Sequence, residues 1–291
     1  MLIRGLIFCG LLMCLSACWY EEPTVSIPFI EEPEESTSIT IQNDTLLKID
    51  FEGVAYDVLV RVPDGEPIGT IVALHGWNFP IADWCDSTEL CEKALELGYV
   101  IVFPDMGKSI YSLRTYPETR EDWLKYPTRP WLTEKVFKIL QSEFNVLMEG
   151  ENNYVLGLST GGRGAYFLAK DHPEVFTAAA CLSGDYDMTM APNDNLYRGF
   201  FGEYKEHQDR WGGEENPLRS NSDLKVPVYF GHGGEDKIVP VKHSSGFAEI
   251  LKMSYATTPE FRLNPDAGHD YAFWNSEVDY VLEFFNKHKS K

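Results

Sequence analysis

Ser159 stands in the stretch "GLSTG" (residues 157–161), where its chemistry depends on its neighbours. A serine hydroxyl is a weak nucleophile unless a nearby base takes its proton and an acid orients that base. The flanking glycines let the backbone crowd into a sharp turn from a strand into a helix, the G-x-S-x-G nucleophile elbow. An apolar run precedes the motif and a helix-like pattern follows it, so the context predicts a presented serine rather than an incidental one.

Two downstream segments supply an acid and a base. "VPVYFGHGGEDKIVP" (226–240) is a strand-like run followed by two adjacent carboxylates, and "LNPDAGHDYAFW" (263–274) contains His269. A serine, then an acid, then a histidine, each just after a strand, is the chain order of one class of serine hydrolase. In that arrangement His269 takes the proton of Ser159 and passes it to the leaving group, while the acid holds the imidazole and stabilises its charged form.

Other residues compete for these roles. Glu235 adjoins Asp236 and is an alternative acid. Asp266 and Asp270 flank His269 too closely to orient its ring from the opposite side. The other histidines are interpreted as surface, structural or loop-stabilising residues: His172, His207, His232, His243 and His288.

A third segment, "LHGWNFP" (74–80), follows a predicted central strand that should lie beside the elbow. Acyl transfer needs backbone N–H donors aimed at the oxyanion of its tetrahedral intermediate. A turn at the end of a neighbouring strand is a suitable source of one donor. The alternative is that His75 and Gly76 merely end the strand.

The chemistry-bearing residues all follow predicted strands of one alternating pattern. The predicted strands are "SITIQ", "TLLKIDF", "AYDVLVRVP", "TIVALHG", "YVIVFPD", "NYVLGLS", "FTAAACLSG", "VPVYFGHG" and "PEFRLNP". The predicted helices are "STELCEKALELG", "WLTEKVFKILQSEF", residues 161–172, "HSSGFAEILKMSY" and "SEVDYVLEFFNKHK". This alternation predicts one α/β domain over residues 38–291, a doubly wound, mostly parallel sheet with helices on both faces.

Residues 185–225 interrupt the pattern with polar residues, glycines and aromatics and give no clear strand. We expect this excursion to lie over the carboxyl ends of the strands, where open α/β sheets bind ligands. Aromatic walls would suit a cinnamoyl group or a sugar ring, although at least half of these residues are expected to be packing residues. The candidates are Trp77, Trp84, Trp123, Trp131, Trp211, Trp274, Tyr111, Tyr186 and Tyr204. For Arg163, a helix-surface ion pair is favoured over contact with an acidic substrate.

From about residue 54 to its end, the chain resembles the putative-esterase group of the α/β-hydrolases. That group includes esterase D-like, feruloyl and acetyl-xylan esterases and mycolyltransferases. The matching segments are "GLSTGGRGAYFLAKDHPEVFTAAACLSGDYD", "FFGEYKEHQDRWGGEENPL" and "AGHDYAFWNSEVDYVLEFF", whereas "HGGEDKIVP" is closer to prolyl-oligopeptidase and dienelactone-hydrolase relatives. The resemblance implies Asp236 as the acid, and the backbone N–H groups of Trp77 and Thr160 as the oxyanion hole. The group often has methionine where Thr160 stands, but only the backbone N–H is needed there.

The resemblance implies a serine esterase that forms an acyl-Ser159 intermediate, on acylated carbohydrates or cinnamoyl esters. A peptidase related to prolyl oligopeptidases is an alternative, disfavoured because no propeller-length region precedes the domain. Acyl transfer to a sugar hydroxyl differs only in the acceptor. A non-catalytic, surface-exposed binding lipoprotein is the fourth hypothesis, since fold does not fix function.

The first residues, "MLIRGLIFCGLLMCLSAC" (1–18), have the layout of a secretory signal and are too short for a membrane span. Their end resembles a bacterial lipobox, which implies a signal peptide of residues 1–17 and a lipid anchor on Cys18. An ordinary signal with a chance cysteine is the alternative. The acidic, proline-containing residues 18–37 predict a tether. Because Trp19 is not the aspartate that retains enteric lipoproteins at the inner membrane, an outer-membrane location in a bacterial envelope is favoured.

The remaining cysteines and the net charge limit which metals, cofactors and partners are expected. Cys85 and Cys91 could form a disulfide in an oxidising envelope, a point that the sequence leaves open. Cys181, in an apolar run, is expected to be buried. Since no histidines accompany the cysteines at zinc-like spacing, neither a metal nor a cofactor is expected. The net charge of −20 argues against nucleic acid as a partner and leaves the ester substrate and the membrane.

Overall fold

The computed structural model describes residues 43–220, 224–254 and 259–290, which lie within one compact unit, Thr37–Lys291. The predicted signal peptide, Cys18, the tether and the strand "SITIQ" lie outside the described residues. The strands in the described part form one sheet in the order β1-β2-β4-β3-β5-β6-β7-β8. Their bounds are Thr45–Phe51, Val54–Arg61, Gly69–Leu74, Tyr99–Pro104, Asn153–Leu158, Ala178–Leu182, Val228–Gly233 and Glu260–Asn264 for β1 to β8.

Strand β2 pairs antiparallel with β1 and β4, and all pairs from β4 to β8 are parallel. The predicted fold class, a mostly parallel doubly wound α/β sheet, is therefore confirmed. Strands β4, β5, β6 and β7 are buried along their whole length. Parallel strands covered on both faces are expected to be continuous apolar runs, which is why they were recognisable in the sequence.

The α-helices α1 to α8 span Asp83–Ser87, Leu90–Glu96, Phe137–Phe144, Thr160–Asp171, Asn195–Phe201, Gln208–Trp211, Lys242–Ser254 and Tyr271–Lys287. A π-helical turn, Trp131–Val136, leads into α3. The helix predicted over "STELCEKALELG" (87–98) corresponds to α2, and the short helix α1 precedes it and ends at Ser87. Thr88 adopts extended backbone between α1 and α2, and its hydroxyl accepts a hydrogen bond from the N–H of Leu90 at 3.2 Å.

Two apolar clusters cover the faces of the sheet. One places Val72 and Val155 of the sheet with Phe247 of α7. The other places Ile71 and Leu156 with residues of α2 and α8. Helices on both faces leave the carboxyl ends of the parallel strands as the open edge, where loops can hold a ligand.

Two segments, residues 105–130 and 185–220, pack together beyond that edge, and we call them the cap. Their shared apolar cluster includes Ile110, Trp123, Phe200 and Trp211. The Arg120 N–H donates to the carbonyl of Gly199 at 2.9 Å, so the segments are also joined through their backbones. The sequence indicated only the second segment as an excursion.

Candidate active site

Ser159 lies between β5 and α4 with φ +55° and ψ −124°, a conformation that costs energy for any residue other than glycine. Hydrogen bonds hold it there. Its N–H donates to Leu182 of β6 at 2.8 Å, and its carbonyl accepts from the N–H of Gly162 at 2.9 Å. The elbow predicted from "GLSTG" therefore has the strained geometry that presents a side chain at the open edge of the sheet.

The glycines around Ser159 are required by close backbone approach. A Cβ at Gly157 would overlap the carbonyl of Gly161, and a Cβ at Gly161 would collide with the carbonyls of Leu74 and His75 at the end of β3. Any larger residue would push α4 away from the two strands beneath it, and the position of the serine with it.

His269 and Asp236 complete a row of hydrogen-bonded side chains with Ser159. The Nε2 atom of His269 is 3.0 Å from Oγ of Ser159, and its Nδ1 atom is 2.7 Å from Oδ2 of Asp236. An ionised carboxylate can only accept, so Nδ1 carries a proton and Nε2 is free to accept the serine proton. The ring of Trp274 packs edge-on against the imidazole at 5.2 Å between centroids.

Both carboxylate oxygens of Asp236 have partners. Its Oδ1 accepts from the N–H groups of Ile238 at 2.9 Å and Val239 at 2.8 Å. Burial would raise the pKa of Asp236, but hydrogen bonds from His232 and His269 outweigh it and hold the pKa well below its ordinary value. The carboxylate thus stays ionised and able to orient the imidazole.

The alternative acid, Glu235, points elsewhere. Its side chain is 64% exposed and pairs with Lys237 at 2.6 Å. Local backbone direction, rather than residue type, separates Glu235 from Asp236. The structure therefore brings Ser159, Asp236 and His269 together and leaves Glu235 in solvent.

His232 is fully buried behind the carboxylate. Its Nε2 lies 2.8 Å from the carbonyl of Val239 and 3.3 Å from Oδ2 of Asp236, and its Nδ1 lies 2.7 Å from Oγ of Ser244. Since a carbonyl only accepts, Nε2 carries the proton and Nδ1 accepts from the serine hydroxyl. These contacts place it as a support of the loop that holds Asp236.

Trp77 follows β3, and Thr160 is the first residue of α4; both line the same cavity as Ser159. Neither backbone N–H has a hydrogen-bond acceptor within residues 43–220, 224–254 and 259–290. Two N–H groups without an internal acceptor beside Ser159 are what an oxyanion hole requires.

His75 fixes the turn before Trp77. It is buried, its Nδ1 lies 2.6 Å from the carbonyl of Gly76, and its Nε2 accepts from the N–H of Met106 at 2.8 Å. Burial lowers its pKa, which keeps the ring neutral. His75 therefore joins the loop after β3 to the loop after β4 and takes no part in the row.

A cavity of about 420 Å³ opens beside Ser159 under the cap. Its walls are mainly apolar and include Trp77, Trp123, Met188 and Leu196. The two indole rings meet edge-on at 4.7 Å between centroids. A volume of this size can hold a six-membered ring with its substituents.

Of the predicted aromatic candidates, Trp77 and Trp123 line the cavity, and the expectation that at least half would be packing residues is correct. The others are buried or pack elsewhere: Trp84, Trp131, Trp211, Trp274, Tyr111, Tyr186 and Tyr204. Trp274 has a supporting role, since its Nε1–H donates to Oγ of Ser183 at 3.1 Å.

Arg163 forms the predicted ion pair, but the predicted surface location is wrong. Arg163 is fully buried in the first turn of α4, and its partner, Glu215, is buried as well, with 3.4 Å between Nη2 and Oε2. The guanidinium also donates to the carbonyls of Ile110 and Glu215. The reason for the difference is the cap, which covers the helix and receives these hydrogen bonds.

Sequence reasoning missed the polar residues of the cavity, including Arg120, Asp185, Asp194 and Tyr197. Asp185 is 5% exposed and follows β6 closely. Burial raises its pKa to about 7, although the charge of Arg163 opposes the change. The rule that located Asp236 and His269, a polar residue just beyond a strand, would also have found Asp185.

His243, expected to be a surface or structural residue, is buried and lines the cavity. Its Nδ1 accepts from the N–H groups of Tyr186 at 3.2 Å and Asp187 at 3.3 Å. Burial lowers its pKa to about 4, so the ring is neutral near pH 7.

Cys85 and Cys91 are joined by a disulfide between α1 and α2, and Cys181 is a buried free thiol. Among the described residues no cluster of metal-ligating side chains occurs. No helix in the described ranges is both long and apolar enough to cross a membrane.

Comparison with known proteins agrees with this geometry. Residues 53–290 match the family model described as "Putative esterase". The chain is 24% identical over 295 residues to diacylglycerol acyltransferase/mycolyltransferase Ag85C of Mycobacterium leprae, covering 89% of this chain and 81% of the relative. It is 21% identical over 236 residues to an acetyl esterase of Caldicellulosiruptor saccharolyticus, and the match covers 77% of this chain and 85% of that relative. An S-formylglutathione hydrolase of Agrobacterium tumefaciens superposes with a TM-score of 0.68 at 17% identity, over 87% of this chain and 100% of that one, and so shares the fold.

Proposed function

We propose that Ser159 is the nucleophile, His269 the base and Asp236 the acid of this chain, which belongs to the putative esterase family. The chain is a serine carboxylic ester hydrolase of the α/β-hydrolase fold. The observation that supports this assignment is the continuous row, 3.0 Å from serine to histidine and 2.7 Å from histidine to aspartate.

In the first half of the reaction, Nε2 of His269 takes the hydroxyl proton while Oγ of Ser159 attacks the ester carbonyl carbon. The carbonyl oxygen becomes an oxyanion that accepts hydrogen bonds from the N–H groups of Trp77 and Thr160. The imidazolium, stabilised by Asp236, then gives its proton to the alcohol oxygen as the carbon–oxygen bond breaks.

The second half repeats these steps with water. His269 removes a proton from a water molecule that attacks the acyl carbon, and Oγ of Ser159 leaves with that proton. The carboxylic acid is released and the serine is restored. No cofactor enters either half.

Ser159→Ala tests the assignment. Turnover of p-nitrophenyl acetate should fall by about 10⁴-fold or more, and a fluorophosphonate probe should no longer label the protein. Ser276→Ala is the matched control, because Ser276 is an exposed residue of α8 whose hydroxyl donates to the carbonyl of Phe273. Labelling of a serine other than Ser159, or undiminished turnover, would refute the proposal.

Acylated carbohydrates and cinnamoyl esters are the proposed substrates. The indole rings of Trp77 and Trp123 offer faces and edges to a ring, and the cavity has room for one. A panel of acetylated sugars, feruloyl esters and plain aliphatic esters should give the highest kcat/KM with one of the first two groups. A clear preference for long aliphatic esters would contradict this.

Acyl transfer is the second candidate, and the similarity to the mycolyltransferase of Mycobacterium leprae favours it. The two functions share every step up to the acyl-serine and differ in whether water or a sugar hydroxyl accepts the acyl group. The ratio of free acid to acylated sugar, measured with increasing trehalose or glucose, separates them. Hydrolysis predicts free acid throughout.

We also propose that Cys18 anchors the mature chain to a bacterial outer membrane, on the basis of the sequence of residues 1–18. Wild-type protein expressed from its full sequence should incorporate labelled palmitate and partition into detergent. Cys18→Ala should lose both properties. Equal incorporation by the variant would refute the anchor.

A further inference from the structure

Three buried oxygens around the cavity lack hydrogen-bond partners among the described residues: Oδ2 of Asp185, the hydroxyl of Tyr197 and Oγ1 of Thr160. Their residues are 5%, 5% and 3% exposed, and all three line the cavity. A second cavity, at the opposite end of β3 and β5, includes one such residue, Asn153. Buried oxygens without a partner are therefore more numerous at the cavity beside Ser159 than at this second cavity.

A buried polar group without a partner destabilises the folded state, so folded proteins seldom keep one unless it has another purpose. A ligand that supplies the missing hydrogen bonds recovers that cost on binding. The three oxygens can accept, and two of them can also donate, which matches a ligand hydroxyl, since a hydroxyl does both.

The rest of the cavity limits what kind of molecule bears this hydroxyl. Its walls are mainly apolar, with Trp123, Met188 and Leu196 among them, so the body of the ligand is a ring or another compact apolar group. A cation is disfavoured, because the charge of Arg163 acts on Asp185 and Arg120 is among the lining residues.

We propose that this cavity binds a hydroxylated ring belonging to the substrate ester, and that Asp185, Tyr197 and Thr160 recognise its hydroxyl. The inference rests on the proposed esterase function and adds a specificity determinant to it. The ring belongs either to the acid or to the alcohol of the ester, and matched substrates distinguish the two.

The first pair is methyl 4-hydroxycinnamate and methyl cinnamate, which differ by a hydroxyl on the acid. The second pair is 2-(4-hydroxyphenyl)ethyl acetate and phenethyl acetate, which differ by a hydroxyl on the alcohol. The wild type should prefer the hydroxylated member of one pair by about tenfold or more in kcat/KM, because the site would otherwise keep its oxygens unpaired.

Two variants connect this preference to named residues. Asp185→Ala should reduce the preference to less than about threefold. Tyr197→Phe should reduce it in part. Glu235→Gln, which removes an exposed carboxylate outside the cavity, should leave it unchanged.

The free energy of unfolding of Tyr197→Phe shows whether the Tyr197 hydroxyl recognises substrate or stabilises the fold. Removing an oxygen that has no partner should leave Tyr197→Phe at least as stable as wild type, whereas a structural hydroxyl would lower the stability. The proposal is overturned if neither pair is discriminated, or if the preference survives in both variants. Turnover of p-nitrophenyl acetate is the reference: if the wild type does not hydrolyse it, the proposed function itself fails and this inference with it.

Discussion

The row of Ser159, His269 and Asp236 and the adjoining cavity differ in how far the protein satisfies the hydrogen bonds of their polar atoms. In the row, Oγ of Ser159, both ring nitrogens of His269 and both carboxylate oxygens of Asp236 have partners within the protein. In the cavity, Asp185 and Tyr197 retain oxygens with none among the described residues. Both regions lie at the carboxyl ends of the same sheet.

This difference is what we expect between groups that transfer protons and groups that recognise a substrate. Groups that transfer protons must be oriented before the substrate arrives, and internal hydrogen bonds provide that orientation. Groups that recognise a substrate must keep some bonding capacity free, at a cost in stability. Substitutions in the row should therefore lower kcat, and substitutions in the cavity should change selectivity and stability.

The strongest test of the row is Asp236→Asn. An amide in place of the carboxylate favours the wrong tautomer of His269, and kcat should fall by about 10⁴-fold, as in other serine triads. Glu235→Gln, the neighbouring change, should leave kcat within about twofold. Steady-state kinetics with p-nitrophenyl acetate measures both, and equal losses would mean that the acid has been misassigned.

Trp77→Pro removes one proposed oxyanion donor, since proline has no N–H. The expected loss in kcat is about 10²- to 10³-fold. Trp77→Ala keeps the N–H and removes the same indole, so it controls for the lost cavity wall. If the two variants lose activity equally, the backbone N–H of Trp77 has no catalytic role.

Asp185→Asn tests the burial of the carboxyl group in the cavity. The pKa of Asp185 is raised from an ordinary 3.8 to about 7 by burial, against the charge of Arg163 and with a smaller contribution from Asp194. Between those pH values the folded state keeps a proton that the unfolded state releases, so wild-type stability falls as the pH rises and the loss is complete above about pH 7.

The asparagine variant lacks this titration. Its free energy of unfolding relative to wild type should therefore increase by about 2 kcal/mol between pH 5 and pH 8. Denaturant unfolding of both proteins at the two pH values measures the difference. A difference that does not change with pH would show that the carboxyl group is not held in an unfavourable environment.

His232→Asn should have the smallest effect. Loss of the imidazole removes the support behind Asp236, and kcat should fall by about tenfold with KM unchanged, because the substrate does not contact this residue. Ser244→Ala removes only the hydroxyl that donates to Nδ1 of His232, so its kcat should fall by less than about tenfold. A change confined to KM would contradict the positioning role.

The grouping of Ser159 and His269 with an acid was predictable from the sequence because its signals are local. The elbow needs glycines at fixed positions, and Asp236 and His269 each follow an apolar run that marks a buried strand. Even there, the choice between Glu235 and Asp236 needed either the family resemblance or the backbone, since both residue types suit the role.

The cavity was not predictable in the same way. The cap is assembled from two segments that are far apart in the chain, and no periodicity indicates that residues 105–130 cover the active site. Arg163 shows the consequence: on an isolated helix a guanidinium belongs in solvent, but under the cap it is buried. Contacts between distant segments override the local preference.

The ion pair between Arg163 and Glu215 also constrains motion. It fastens the cap to the first turn of α4, and a buried charge that is left without its partner costs about 3–5 kcal/mol. A lid that had to lift at every turnover would spend most of its time shut. We therefore expect substrates to enter beside Ile238, whose side chain lines the cavity and is largely exposed, without movement of the cap.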